Sequence, residues 1–335
     1  MDEIARRMPN FGVPVPVVHP LGGRLGYAVP GLGFRPVWSH RYWKGAKFWK
    51  PWDGTITNYD GIIAARAGGK GEDVAPCKTT AFGGVSGVWY SAFRVAGLPP
   101  SISPANIPGG SVMNDLSTGA IAITKPTSPD KKYLLTFGGS VSNANLSVLL
   151  LVDLLVAAAN ISANSTSAQT VNTSALTRYT DGKGVMMIMC VTTALGTTAS
   201  NVTISYTNQG GTSGRSTGAV AMTTSAAANR LQPSVGISPF IPLQSGDYGV
   251  QSVQTVTFSA AMGAGVLDIY LFKSLAILPT IGASLYVERD STIQIDGLTE
   301  LVTESGGECG CLGMFVLTSG TSTGTLQAFL RMCAG

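Results

Sequence analysis

The sequence predicts an all-β protein: an antiparallel β-sandwich or jelly-roll-like domain over residues 111–335, preceded by an extended Pro/Gly-rich N-terminal arm over 1–110. Three observations carry this. Beyond residue 110 the chain breaks into about ten to twelve short β-prone runs separated by turn residues, the rhythm of a sandwich. Several of these runs alternate apolar and polar residues with the period of a half-buried strand. Ahead of them, proline and glycine recur too often for helices or central strands.

The arm comes first. Pro9, Pro14, Pro16, Pro20, Pro30, Pro36 and Pro51 punctuate it, with Gly12, Gly22, Gly23, Gly26, Gly31 and Gly33 between them. Inside it lies Arg35–Trp52, which holds four of the five tryptophans. Trp38, Trp43, Trp49, Trp52, Tyr42 and Phe48 alternate there with Arg35, Arg41, Lys44, Lys47 and Lys50, and no acid occurs between Glu3 and Asp53. A segment this aromatic is not a solvated linker. Such a mixture can anchor a protein interface, where Trp, Tyr and Arg dominate the binding energy. It can also stack on bases and hold phosphates, or pack on the chain's own domain. Protein docking is the favoured reading, with Trp38, Arg41, Tyr42, Trp43, Lys44, Lys47, Phe48, Trp49 and Trp52 as the partner-binding residues.

Val85–Val95 is a strand candidate, and Pro99, Pro100, Pro104 and Pro108 mark a boundary near residue 110. Beyond it, Gly119–Thr124 and Tyr133–Phe137 are predicted strands, the second closed by Gly138 and Gly139. Leu146–Val156 is apolar throughout, so periodicity alone cannot separate a buried strand from a short helix. The β runs around it favour strand. Thr166–Ala175 is polar and β-prone, and Val185–Thr192 suits a strand buried on both faces. Asn201–Thr207 alternates cleanly, Val202, Ile204 and Tyr206 against Thr203, Ser205 and Thr207. Ala219–Thr224 follows. Val250–Ala260 and Val266–Phe272 then flank the small-residue turn Ala261–Gly265, the pattern of a β-hairpin. Thr292–Ile295, Gly313–Thr318 and Leu326–Met332 supply the last strands. No fixed-period repeat suggests a propeller or β-helix.

Charged residues make up only 12% of the chain, about half the usual share of roughly 25%. Between Gly184 and Gly246 the only charges are Arg215 and Arg230. A free monomer usually carries more, whereas a subunit packed in an assembly need not. A net charge of +4 is too weak to imply nucleic acid by itself. The opening MDEIARRMPNFG has no apolar export core. The run Leu146–Ala159 is too short to span a bilayer and holds Asp153 at its centre.

Catalytic chemistry finds little support. The two histidines, His19 and His40, both sit in the arm, where a rigidly oriented base is hard to build. Asp153 and Asp268 are the only acids inside apolar runs, and each is expected to be paired or edge-facing rather than half of a glycosidase dyad. Glu288 and Asp290 flank Arg289 as in a solvated turn. The five cysteines, Cys77, Cys190, Cys309, Cys311 and Cys333, are odd in number and lack zinc-site spacing. Reduced thiols and no metal or other cofactor are expected. No phosphate-loop or dinucleotide fingerprint is present. The sequons at Asn145, Asn160, Asn164, Asn172 and Asn201 are what a Ser/Thr-rich composition produces by chance.

Four pieces in order resemble virion proteins of tailed bacteriophages. They are Ser167-Ala168-Gln169-Thr170-Val171-Asn172; Arg178-Tyr179-Thr180-Asp181-Gly182; Ser205-Tyr206-Thr207-Asn208 with Gly214-Arg215; and Leu243-Gln244-Ser245-Gly246-Asp247. The similarity covers roughly 130–285 and excludes the arm. It implies a head- or capsid-associated structural component without enzymatic activity, of decoration or cement type, present in many copies. The virion would be assembled in a bacterial host's cytoplasm. The implied partners are the major capsid protein or other virion subunits, together with copies of the chain itself; a membrane or nucleic acid is not expected. Two rivals remain. A tail or fibre component would bind host glycan through exposed aromatics of the β-domain. A packaging protein would bind nucleic acid through the arm's Lys and Arg, with steep salt dependence.

Overall fold

In a computed structural model, two strands of 16 and 15 residues organise the protein. The structure describes residues 15–18, 25–29, 33–36, 56, 58–127, 130–142, 147–233, 240–280, 282, 285–292, 298–301, 309–321 and 323–335. In chain order the strands begin with β1 (Val15–Val18), β2 (Leu25–Val29) and β3 (Gly33–Pro36), followed by helix α1 (Tyr59–Ala67). Next come β4 (Gly71–Val74), β5 (Cys77–Gly83), β6 (Val88–Ser91), β7 (Gly97–Leu98), β8 (Ser111–Val112), β9 (Lys132–Val141), β10 (Ser147–Ser162) and β11 (Gln169–Thr170). Then follow β12 (Val185–Thr193), β13 (Asn201–Asn208), β14 (Arg215–Ser216), β15 (Val220–Ala221), β16 (Leu231–Gln232) and β17 (Val250–Phe258). The last are β18 (Val266–Thr280), β19 (Val287–Asp290), β20 (Thr299–Leu301), β21 (Cys311–Thr318) and β22 (Thr323–Ala334). The paired strands are antiparallel, as the all-β prediction requires.

Contacts divide the chain into two units, Met1–Ala64 and Ala65–Gly335. In the first, β1, β2 and β3 form a small antiparallel sheet. In the second, a central sheet runs β16-β12-β18-β10-β21-β6, with β8 added to β10. One face of this sheet is covered by two outer sheets in tandem. The first outer sheet runs β19-β9-β22-β5-β7, with β20 on β9 and β4 on β22; the second runs β11-β17-β13-β14, with β15 on β13.

The long strands serve both sandwiches in turn. Leu149 and Leu151 of β10, with Ala276 and Leu278 of β18, pack with Phe137 and Leu330 of the first outer sheet. Further along, Val156, Ala158 and Ile161 of β10, with Leu267, Ile269 and Leu271 of β18, pack with Ile204, Tyr206, Val256 and Phe258 of the second. The opposite face carries Leu150, Val152, Leu154, Ile188, Tyr270 and Phe272, covered by Phe93, Ile102 and Met113. A strand buried on both faces has no polar side to alternate. That is why β10 lacks a period and why it is a strand despite its helical ambiguity.

Several elements differ from expectation for identifiable reasons. β17 and β18 do not form a hairpin: β17 pairs with β11 and β13, β18 with β10 and β12. The turn at Ala261–Gly265 carries the chain from one sheet to the other, so the two alternating faces meet across the core. β9 runs through Gly138 and Gly139 instead of ending there. A Cβ on Gly139 would lie 2.7 Å from Leu149 Cδ1, and one on Gly138 would overlap the Tyr286 hydroxyl, so these glycines permit close approach rather than a turn. Val287–Asp290 is strand β19 on the edge of β9, not a turn. Gly119–Thr124 contributes only the bridge Ile121–Leu312, and residues 293–295 of the predicted Thr292–Ile295 strand lie outside the described residues. The prolines near 100 mark a strap across the central sheet, held by hydrogen bonds from Ile107 N to Ala159 O and from Met113 N to Leu155 O, each 2.9 Å. The strands over Gly71–Val112 accordingly belong to the sandwich sheets.

Candidate functional site

The sequence-predicted docking residues, Trp38, Arg41, Tyr42, Trp43, Lys44, Lys47, Phe48, Trp49 and Trp52, lie outside the described residues, as do His19 and His40. The remaining chemistry belongs to the second unit.

Asp153 and Asp268 lie on opposite faces of the central sheet and cannot act as one carboxylate dyad. Asp153 follows Leu149 and Leu151 in alternation along β10, on the sandwich face. Arg178 Nε and Nη2 donate to its two oxygens at 2.9 and 2.8 Å, and Nη2 also lies 2.7 Å from Met113 O. Asp268 alternates with Tyr270 and Phe272 toward the strap. Arg94 Nη1 lies 3.3 Å from its carboxylate, and Tyr270 Oη donates to Oδ2 at 3.3 Å. Burial pushes the Asp268 carboxyl up to about 6, against the opposing pull of Arg94. Burial likewise pushes the nearby Cys190 thiol up to about 12. A thiol so disfavoured as thiolate is a poor nucleophile.

Three of the four resemblance-bearing pieces converge in space, while 167–172 pairs with β17 around Thr255 and Val256. Loops at 179–184, 208–215 and 243–249 meet at one end of the second sandwich, around Asp247. Its carboxylate accepts hydrogen bonds from Tyr206 Oη (2.6 Å), Asn208 Nδ2 (2.8 Å), and Arg215 Nε and Nη2 (2.8 and 3.1 Å). Arg215, then Tyr206 and Asn208, hold the Asp247 carboxyl down to about 2, against the cost of desolvation. Tyr206 Oη in turn accepts from Gln244 N at 2.8 Å, and Asn208 Oδ1 accepts from Gly210 N and Thr212 N, each 3.0 Å. Every member is engaged by a neighbour, so the network ties loops together instead of presenting a reactive group. Sequence reasoning missed it, although Arg215 and Asp247 were visible as rare charges around an uncharged stretch.

A cavity of about 480 Å³ is lined by Lys70, Glu72, Thr124, Lys125, Asp130 and Lys132, among others. Lys70 pairs with Asp130, and Lys132 with Glu72 and the Thr124 carbonyl. Glu72 also accepts from Thr124 N through both oxygens at 2.9 Å. These mutual pairs clamp β4 to the segment before β9. Cys309 packs in the first sandwich core and Cys311 on the strap side. Two thiols on opposite sheet faces cannot share a metal ion or form a bond to each other.

The outer face of the second outer sheet is a ladder of hydroxyls. Thr203 is opposite Thr257, Ser205 opposite Thr255, and Thr207 opposite Ser252. Strands β11, β13 and β17 contain no charged residue.

No protein-family profile and no curated protein matches the chain. Among solved structures, that of the infectious bursal disease virus Gt strain aligns over 79% of this chain and 81% of its own, at 6% identity and a TM-score of 0.15. The infectious bursal disease virus VP2 subviral particle aligns over 79% of each chain, at 10% identity and a TM-score of 0.10. T=1 particles derived from infectious bursal virus align over 79% and 77%, at 10% identity and a TM-score of 0.09. At these scores the likeness carries no argument about function.

Proposed function

We propose that the chain is a non-enzymatic structural subunit of a virion. In this reading it is a capsid decoration or cement protein that docks on the major capsid protein, or on another virion subunit, through its N-terminal arm. The observation that supports this most is the charge-free hydroxyl face formed by β11, β13 and β17. A face that becomes covered on assembly gains by carrying no charge, because each charge would have to be desolvated or paired. A freely diffusing domain gains by the reverse. The resemblance of residues 167–247 to virion proteins points the same way, and the buried acids are engaged in ion pairs rather than poised for catalysis.

Purified virions test the proposal. Quantitative mass spectrometry should find the chain in a fixed stoichiometry to the shell subunit. Cross-linking should join residues 35–52 to that subunit or to another copy of the chain. Absence from washed particles, or cross-links confined to packaged nucleic acid, would overturn it.

A further inference from the structure

Tyr248 is the observation from which a binding site follows. Its side chain is 60% exposed, yet its backbone is held on both sides. Tyr248 N donates to Gln209 Oε1 at 3.1 Å, and Gly184 N donates to the Tyr248 carbonyl at 3.1 Å. On one side stands Asp247, with a side chain only 3% exposed and four donors on its carboxylate. On the other, Gly249 bridges Lys183 and lies so close to the Gly182 carbonyl that any Cβ would collide. A solvent-facing ring on a frame this rigid loses little entropy on meeting a ligand.

The surroundings select the ligand. Among the exposed or half-buried side chains of the converging loops and the adjoining start of β17 are Asp181, Lys183, Gln209, Gln244, Ser245 and Gln251, with Tyr179 half-buried beside them. Asp181 and Lys183 pair with each other at 3.0 Å, and Arg215 pairs with Asp247. Lys273 donates to the Lys183 carbonyl at 2.8 Å and lies 5.3 Å from the centre of the Tyr179 ring. Each charge is therefore held by a neighbour, which leaves amides and hydroxyls around the exposed Tyr248 ring. A protein interface needs an apolar core larger than one ring. Nucleic acid needs an excess of positive charge. A sugar ring needs what is present: a flat aromatic face for its axial C–H groups, and neutral donors and acceptors for its equatorial hydroxyls. We infer that the loop apex around Tyr248 is a binding site for a neutral saccharide, with Tyr248 as the stacking platform and Gln209, Gln251 and the Asp181–Lys183 pair as its hydrogen-bonding rim. This goes beyond the structural role proposed above and stands on different residues.

The test is an array of neutral hexose and N-acetylhexosamine oligosaccharides, probed with the full-length protein at low and high salt. The expected result is binding to a neutral oligosaccharide that changes less than about twofold with salt. Tyr248→Ala should weaken it by at least about tenfold, while Tyr248→Trp retains it. Both variants should melt with the wild type, since the side chain is exposed. Capture of no neutral oligosaccharide, capture only of acidic ones with loss at high salt, or capture that Tyr248→Ala leaves intact would each overturn the inference. So would a change of oligomeric state in Tyr248→Ala, which would mark the ring as a subunit contact.

Discussion

Arg178 and Asp153 form a doubly hydrogen-bonded ion pair with side chains 0% and 1% exposed. The pair sits where β10 passes from the first sandwich core to the second, and it ties the 171–184 segment to that crossing. A Cβ on Gly310 would approach the Asp153 carboxylate to 2.8 Å, so the sheet leaves room for the acid alone. Removing one partner strands the other charge in the interior, at a cost of about 3–5 kcal/mol. Arg178→Met and Asp153→Leu are each expected to lower the free energy of unfolding by that amount, read as a lower urea midpoint. The double variant should lose less than the sum. Denaturation of the four proteins measures this directly.

Asp268 predicts a pH dependence of unusual sign. Its folded carboxyl titrates at about 6, above the ordinary 3.8, because burial outweighs the attraction of Arg94. From about pH 6 down toward 4 the folded protein holds a proton that the unfolded chain releases, so acidification stabilises. That stabilisation fades as pH rises through 6, and its full span is roughly 3 kcal/mol. Asp268→Asn should flatten this part of the stability profile. Asp247, held down to about 2 principally by Arg215, keeps its charge throughout the window. A wild-type stability that rises from pH 4 to 6, or a profile unchanged in Asp268→Asn, would contradict the assignment.

The alternation in β13 and β17 was legible because each has one buried and one open face. Their partners were not, because period two reports which side chains point inward and says nothing about which strand lies alongside. Val256 and Leu267 are eleven residues apart, on the two arms of the expected hairpin; they belong instead to facing layers of one core. The Asp247 network escaped notice for a similar reason. Tyr206 and Asn208 come from β13, Arg215 from β14 and Asp247 from a loop, and only the fold brings them together. Glu288 and Asp290 resembled a turn because an edge strand may carry charges along its open side.

The thiols should divide by environment. Cys77 is half-buried and the other four are buried. Burial pushes Cys190 up to about 12 and Cys309 up to about 11, and raises Cys311 further. Alkylation of the native protein at neutral pH is therefore expected to label Cys77 first. All five should react once the chain is unfolded, without prior reduction. Peptide mass spectrometry resolves the order; a recovered Cys309–Cys311 disulfide, or early labelling of Cys311, would refute the placement of these residues on opposite sheet faces.

The arm supplies the final prediction. Residues 1–52 hold eight Lys/Arg, two acids, seven prolines and four of the five tryptophans. The strands β4 to β22 pair among themselves, so deleting 1–52 is expected to leave a folded second unit that no longer joins the particle. The aromatics and the charges of 35–52 make separable contributions. Burying an aromatic side chain of about 150–250 Å² at roughly 25 cal/mol per Å² gains several kcal/mol before ordering costs. A rim charge contributes about 1 kcal/mol or less and is screened by salt. Trp43→Ala with Trp49→Ala should therefore weaken attachment far more than Lys44→Ala with Lys47→Ala, and attachment should survive moderate salt. Sedimentation of particles with each variant measures the difference. If the lysine pair proved the worse loss and attachment collapsed as salt rose, the arm would be an electrostatic nucleic-acid tether, and the docking role proposed for its tryptophans would fall.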